Sequence, residues 1–285
     1  MSETTTRRPR RRYMVAALAA VAATLLAACS STGGSSSSTS TSGGAAGLMT
    51  PGVLTVGMNL QFKPEMYLNN GKPAGYDVDL LDKLAATLHV KLDIQNLDFN
   101  GLIPGLQAKK FDLVSVGLTP NPQRSEVVSF TRSYVPYASV LAVPANYSGP
   151  ATIDAFNTSS TTITALQGSS DETLAQSSFP KANVEGLSDQ NSTLLEVQTG
   201  RAQGAVLEDY ILAQYIKANP GTVKEAALTK PLSLSYGSWA VQKGNTALID
   251  ELNSFLCKSQ NDGTLAALYK QDFGATAMPA MPGGC

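Results

Sequence analysis

The segment Val114-Ser115-Val116-Gly117-Leu118-Thr119-Pro120-Asn121-Pro122-Gln123-Arg124 gathers residue types suited to holding an anion. A short apolar strand runs into small and hydroxyl residues, and an arginine follows Thr119 by five positions. Backbone N–H groups and a hydroxyl at a strand end, beside a planar guanidinium that can pair with two oxygens at once, fit a carboxylate. Val116, Gly117, Thr119 and Arg124 are therefore candidate ligand contacts. Read with two distant partners, Asp209 and the Gly168-Ser169-Ser170 turn, the pattern describes a pocket for the head group common to amino acids. The turn opens a helix whose free N–H groups also favour an anion.

Other reactive side chains have plainer readings. His89, the only histidine, stands where a helix ends, far from every polar cluster, and reads as a surface residue at a helix C-terminus. Two distant cysteines and one histidine do not make a metal ligand set, so neither metal nor cofactor is expected. Asp209 can cap the helix that follows it while also serving a ligand. Its neighbour Glu208 either faces the pocket or points to solvent. Trp239 sits in an apolar strand and reads as core.

The elements that must position these residues alternate. From about residue 50 the pattern is strand, helix, strand, helix, as in an α/β protein. Residues 52–58 read as a strand. Residues 77–88 read as a helix capped by Asp77, with Val78, Leu81, Leu84, Ala85 and Leu88 on one face. Strands follow around Val90–Ile94, Leu113–Val116, Ser139–Val143, Thr161–Leu166, Gly204–Leu207 and Tyr236–Val241. Helices are predicted over 102–108, with Pro104 in the first turn, and over 171–176, 192–199, 210–217, 247–255 and 263–269. About 235 folded residues exceed what one core usually takes, so two lobes are expected.

The N-terminus points to export. Five arginines in residues 1–12 precede a run of small and apolar residues from Met14 to Ala28, shorter than the ~20 residues of a spanning helix. The run ends in Leu26-Ala27-Ala28-Cys29, which resembles the bacterial lipobox; that resemblance implies cleavage before Cys29 and a lipid on its sulfur. From Cys29 to Gly47 only Ser, Thr, Gly and Ala follow the cysteine, a composition that cannot offset its ordering entropy and serves as a tether. Cys257 and Cys285 remain, an even pair in an oxidising compartment, and are expected to form a disulfide pinning the C-terminal tail. Residues 1–28 hold five of the 21 basic and one of the 22 acidic residues, leaving 16 against 21. With no basic stripe after residue 12, nucleic-acid binding is not expected.

The chain resembles the bacterial extracellular solute-binding proteins that serve polar amino-acid importers. The markers are Gly52-Val53-Leu54-Thr55-Val56-Gly57, Gly75-Tyr76-Asp77-Val78-Asp79-Leu80, Asp98-Phe99-Asn100-Gly101-Leu102-Ile103-Pro104-Gly105-Leu106 and Phe111-Asp112-Leu113-Val114. The Thr119 to Arg124 segment, Gly200-Arg201, Glu208-Asp209 and Asp262-Gly263-Thr264 follow in order. The resemblance covers roughly residues 51–272. It implies an α/β, two-lobed type II periplasmic-binding fold with two crossing hinge strands. The expected divisions are a signal peptide over 1–28, a tether over 29–49, lobe 1 over 50–143 and 236–285, and lobe 2 over 144–235.

It also implies roles for residues. Arg124 matches the arginine for the ligand carboxylate, with Thr119 and the Gly117 backbone as further donors. Asp209 matches the acid for the ammonium, and Phe62 and Phe99 match aromatic walls. Many relatives have an acid where this chain has Asn59; a buried ligand cation wants a carboxylate there. Asn59 therefore predicts glutamine or asparagine, with glutamate or aspartate next and Lys63 as a cation that could favour the acids. The implied partners are a free amino acid and the membrane permease of an ABC importer, with the chain a monomer held at the outer face of the cytoplasmic membrane by its lipid. Two other readings use the same pocket: a dehydratase acting on prephenate-like acids with Glu208 as its acid, and a sensor subunit reporting amino-acid levels.

Overall fold

The computed structural model describes residues 47–275 and 277–285. The expected signal peptide, Cys29 and most of the tether lie outside the described residues. No described helix is long and apolar enough to cross a membrane.

The first strand, β1 (Val53–Met58), leads into a small three-stranded meander, β2 (Gln61–Phe62), β3 (Met66–Asn69) and β4 (Lys72–Ala74). Helix α1 (Tyr76–Leu88) follows. Its expected cap differs: Gly75, with φ of 110°, precedes the helix, and Asp77 lies inside the first turn. The reason is packing: Asp77 is fully buried and accepts hydrogen bonds from Ser115 Oγ at 2.5 Å and Tyr134 Oη at 2.6 Å. His89 is the C-cap, in the left-handed conformation that ends helices, with φ of 54°.

Strand β5 (Lys91–Asn96) pairs with β1 in parallel. Helix α2 (Phe99–Gln107) then starts three residues before the expected position, which leaves Pro104 inside it rather than in the first turn. Strand β6 (Leu113–Leu118) is buried along its whole length and joins β1 on the other side. Each of these parallel pairings needs a helical crossover, which α1 and α2 supply.

The short helix α3 (Pro122–Val127) runs directly into β7 (Val128–Pro144), a strand of 17 residues. Only its last part was legible as a strand. Beyond it come α4 (Ile153–Phe156), β8 (Thr162–Leu166), α5 (Ser170–Ser178), β9 (Asn183–Leu187), α6 (Gln190–Gln198) and β10 (Gly204–Glu208). The chain continues through α7 (Asp209–Ala218), β11 (Val223–Glu225), β12 (Ser233–Gln242), α8 (Thr246–Asn261) and α9 (Thr264–Phe273).

The larger sheet runs β5-β1-β6-β12-β7-β10-β8-β9, with β11 also on β7. Its centre is the antiparallel pair β7 and β12, matched from Val128 opposite Gln242 to Ser139 opposite Ser233, with the register shifting on both sides of Ser238. At one end of this pair β6 lies against β12; at the other, β10 lies against β7. Both outer edges carry polar residues, Lys91, Asp93 and Gln95 on β5 and Asn183 and Glu185 on β9, which discourages further strand pairing. A large core includes Leu54, Leu84, Phe111, Tyr134 and Trp239; a second, of Leu141, Val143, Phe156, Ile163, Phe179 and Val206, packs beyond β7. Trp239 is fully buried, as its sequence context implies.

Candidate functional site

Strand β6 ends at a turn that fixes the arginine. Asn121 caps α3 by accepting the Arg124 N–H at 2.8 Å, and Pro122 occupies the first turn, where its missing N–H costs nothing. This puts Arg124 one turn into α3 with its side chain folded back across the strand end. Its Nη1 donates to Thr119 O at 2.8 Å and its Nη2 to Gly168 O at 2.9 Å. The guanidinium lies 5.9 Å from the centre of the Phe99 ring. Burial lowers its pKa to about 10. The one ion pair among the described residues is Arg201 with Glu196, so this buried cation has no carboxylate.

On the facing side, β8 ends at Leu166, Gln167 and Gly168 form the turn, and α5 begins under a reciprocal cap. Ser169 Oγ accepts from Glu172 N at 3.1 Å while Glu172 Oε2 accepts from Gly168 N at 2.7 Å. Asp171 follows in the first turn of α5, buried, its Oδ1 accepting from Ser139 Oγ at 2.6 Å. Its carboxyl shares a hydrogen bond with Glu208, the last residue of β10. Two carboxyls can share one only if one of them keeps its proton. Burial, then the charge of Asp171, raises Glu208 well above the usual carboxylate range; burial also raises Asp171.

A third acid closes the base. Glu65, between β2 and β3, is buried and takes hydrogen bonds from the Tyr137 hydroxyl on Oε1 and from Tyr210 Oη on Oε2, the latter at 2.5 Å. Burial raises its pKa well above the ordinary value, Asp77 adds to the rise, and the two tyrosine hydroxyls oppose it. Gly117 makes room for this group: its φ is 55°, and a Cβ there would stand 1.6 Å from Tyr137 Oη and 2.6 Å from Glu65 Oε1.

The resulting cavity is lined by Phe62, Phe99, Val116, Gly117, Thr119, Arg124, Ser169 and Ser170 from among the residues singled out in the sequence. Glu65, Tyr137, Asp171, Gln190, Glu208 and Tyr210 line it too. Gly168 reaches it through the carbonyl bound to Arg124. The Gly117 N–H, a candidate donor to ligand, donates instead to Tyr134 Oη at 3.1 Å. Two candidates stand outside the lining. Asn59 is buried with its Nδ2 donating to Leu97 O at 2.7 Å, and its Oδ1 is taken by Gln61. Asp209 is exposed, its Oδ1 accepting from Tyr210 N at 2.8 Å. Glu208 closes β10 and lines the cavity, whereas Asp209 opens α7 and lies outside it. Lys63 lies over the Tyr67 ring, 5.0 Å from its centre, and does not line the cavity.

Glu65 and Asp171 were not singled out in the sequence. Asp171 had a signal, since it follows the Gly168-Ser169-Ser170 turn directly. Glu65 had none: its partners Tyr137 and Tyr210 lie 72 and 145 positions away.

The sequence pattern of the bacterial extracellular solute-binding proteins, family 3, matches residues 54–275. The arginine-binding extracellular protein ArtP of Bacillus subtilis (strain 168) is 27% identical over 223 residues, covering 77% of this chain and 86% of the relative. Among solved structures, an ancestral arginine-binding protein bound to glutamine has a TM-score of 0.73 at 28% identity, covering 79% of this chain and 100% of its own. The ancestral amino acid-binding protein AncCDT-1, a precursor of cyclohexadienyl dehydratase, has a TM-score of 0.71 at 28% identity, covering 78% and 96%. These neighbours share the two-lobed α/β architecture of type II periplasmic binding proteins.

Proposed function

The chain belongs to the bacterial extracellular solute-binding proteins, family 3, and on that footing we propose that it captures a free polar amino acid by hinge closure and delivers it to the permease of an ABC importer. The observation that carries the ligand reading is Arg124, a buried guanidinium on the cavity that is satisfied only by two backbone carbonyls. A ligand α-carboxylate would replace Gly168 O on it and gain a charge-assisted, two-oxygen contact. Thr119 and the α5 start at Ser169 and Ser170 stand at the same end. The ligand ammonium goes to Glu208 with Asp171, in place of Asp209. Phe62 and Phe99 flank the ligand and drive its desolvation.

Closure turns on β7 and β12, with lobe 1 over 50–143 and 236–285 and lobe 2 over 144–235. Residues 1–28 direct export, and a lipidated Cys29 holds the monomer at the outer face of the cytoplasmic membrane through the tether over 29–49. Cys257 and Cys285, whose Cα atoms are 5.5 Å apart, are proposed to be joined by a disulfide, for which that spacing is usual.

The preference for glutamine, asparagine, glutamate or aspartate rested on Asn59, whose amide is committed to Leu97 and Gln61. The side-chain preference therefore turns on the residues that do line the cavity. The test is a thermal-shift panel of the purified protein against the twenty L-amino acids and prephenate. A ligand at 100 times its dissociation constant stabilises by about 2.7 kcal/mol. A rise with one or a few amino acids is expected; a rise with prephenate alone, followed by its turnover, would put the dehydratase reading with Glu208 as acid in place of this one.

A further inference from the structure

The cavity holds more acid than an amino-acid head group can use. Arg124 suits the α-carboxylate, and the Asp171–Glu208 pair, sharing one proton, carries the single negative charge that suits the α-ammonium. Glu65 is left over. It is 1% exposed and lines the cavity, yet it has no cationic partner among the described residues. The nearby Lys63 is turned onto Tyr67. No group of three or more described His, Cys, Asp or Glu residues is disposed to hold a metal ion.

Glu65 is also held ready. The hydroxyls of Tyr137 and Tyr210 fix one oxygen each, filling two of the roughly four acceptor positions of a carboxylate. Gly117, with no side chain, leaves the group open to the cavity. A carboxylate buried without a cation is costly, and a positively charged group from outside removes that cost. With a zwitterionic ligand of neutral side chain nothing balances a charge on Glu65, and burial favours its protonated form; a further cation on the ligand side chain lets it ionise and pair.

We propose that Glu65 is the residue that reads the ligand side chain, and that the ligand is an amino acid carrying a second positive charge, as lysine, ornithine and arginine do. The proposal rests on the head-group reading of Arg124, Asp171 and Glu208 given above. It reverses the preference drawn from Asn59: the acid sits on the segment after β2, six positions further along.

The experiment is calorimetric titration of the purified protein and its Glu65→Gln variant with L-lysine, L-ornithine, L-arginine, L-glutamine and L-glutamate. The protein should bind one of the three basic ligands at least roughly tenfold more tightly than L-glutamine. Glu65→Gln should weaken that ligand on the order of 30-fold or more while leaving L-glutamine within about threefold. Tighter binding of L-glutamine or L-glutamate than of all three basic ligands, or an equal loss for every ligand in the variant, overturns the proposal. Were the variant not to fold, proton exchange by the unaltered protein decides. Glu65 faces Tyr137, Tyr210 and the charge of Asp77, and burial raises its pKa, so a ligand cation lowers that pKa and releases a proton to buffer. Titrations in two buffers of different ionisation enthalpy should show more proton release with the basic ligand than with L-glutamine; equal release overturns the proposal. If no amino acid binds the unaltered protein, the head-group reading itself fails and this one falls with it.

Discussion

Replacing Arg124 by glutamine separates binding from folding, because its two effects differ in size. Arg124 is 8% exposed, and burial lowers its pKa from the ordinary guanidinium range to about 10. A depression of that size corresponds to roughly 3 kcal/mol against the charged form at neutral pH. Opposing it are two hydrogen bonds, 2.8 Å to Thr119 O and 2.9 Å to Gly168 O, worth about 1.5–3 kcal/mol each because the donor is charged. The two effects nearly cancel, and a glutamine amide can still reach one carbonyl. Ligand-free Arg124→Gln should therefore lose no more than about 3 kcal/mol, or roughly 6–12 °C in melting temperature, and far less if the amide bonds well. Binding has no such compensation. Stranding the ligand carboxylate should cost at least about 2 kcal/mol, or about 30-fold in affinity. At a ligand concentration 100 times the unaltered protein's dissociation constant, stabilisation should fall from about 2.7 to about 1 kcal/mol or less. Scanning fluorimetry with and without ligand reads both quantities, and calorimetry gives the affinity directly. Affinity retained within about threefold would refute the assignment and leave Arg124 a structural brace between Thr119 and Gly168.

Two further outcomes follow from groups outside the cavity. Burial raises Asp77 from 3.8 to about 7, so the folded protein holds a proton that the unfolded chain gives up. The stability it contributes is full below about pH 3.8 and declines as pH rises toward 7, by on the order of 4 kcal/mol for this residue alone. Asp77→Asn should flatten the pH dependence of melting between pH 4 and 8, and an unchanged slope would show that Asp77 does not carry it. For Cys257 and Cys285, 28 positions apart, reduction of the purified protein should lower the melting temperature, the chain-entropy effect being about 3–4 kcal/mol; no response to reductant would argue against the bond.

Periodicity revealed the elements that bury one continuous face and missed those that do not. Helix α1 and strand β6 were legible because apolar residues recur along them at helical or strand spacing. Strand β9, Asn183–Leu187, was not: it is an edge strand mixing Asn, Glu and Gly, and its place is set by parallel pairing with β8. The front half of β7 was hidden likewise, since Ser129, Thr131, Arg132 and Ser133 break the apolar run while β12 pairs alongside. In the site, residues clustered along the chain were legible, as with Thr119 to Arg124. The acids were not. Whether Glu208 or Asp209 enters the cavity depends on where β10 ends, a one-residue question that composition does not answer. Asp77 shows the same limit: a residue type that favours caps is drawn inward by Ser115 and Tyr134, contributed by other elements.

The hydrogen bonds across the cleft bear on how closure is driven. Arg124 reaches Gly168, Tyr210 reaches Glu65, Asn100 Nδ2 donates to Gln167 Oε1 at 3.2 Å, and Gln190 N donates to Gln61 Oε1 at 2.9 Å. Each joins an element on the β6 side of the central strand pair to one on the β10 side. On the proposed reading the ligand displaces Gly168 from Arg124 and adds a partner to Glu65, so at those residues it substitutes for or supplements a bridge that exists without it. A ligand shifts an equilibrium only by its differential affinity for the two states. The shift must then come from charge balance in the closed cavity, where one guanidinium faces three carboxyls, more than from the number of bridges. On that same reading the pairs Asn100–Gln167 and Gln61–Gln190 belong to the protein alone and would set how far the empty protein closes. Affinity can accordingly be tuned at the Asn100–Gln167 pair without touching specificity, whereas a change at Arg124 weakens every amino acid alike and one at Glu65 moves affinity and specificity together.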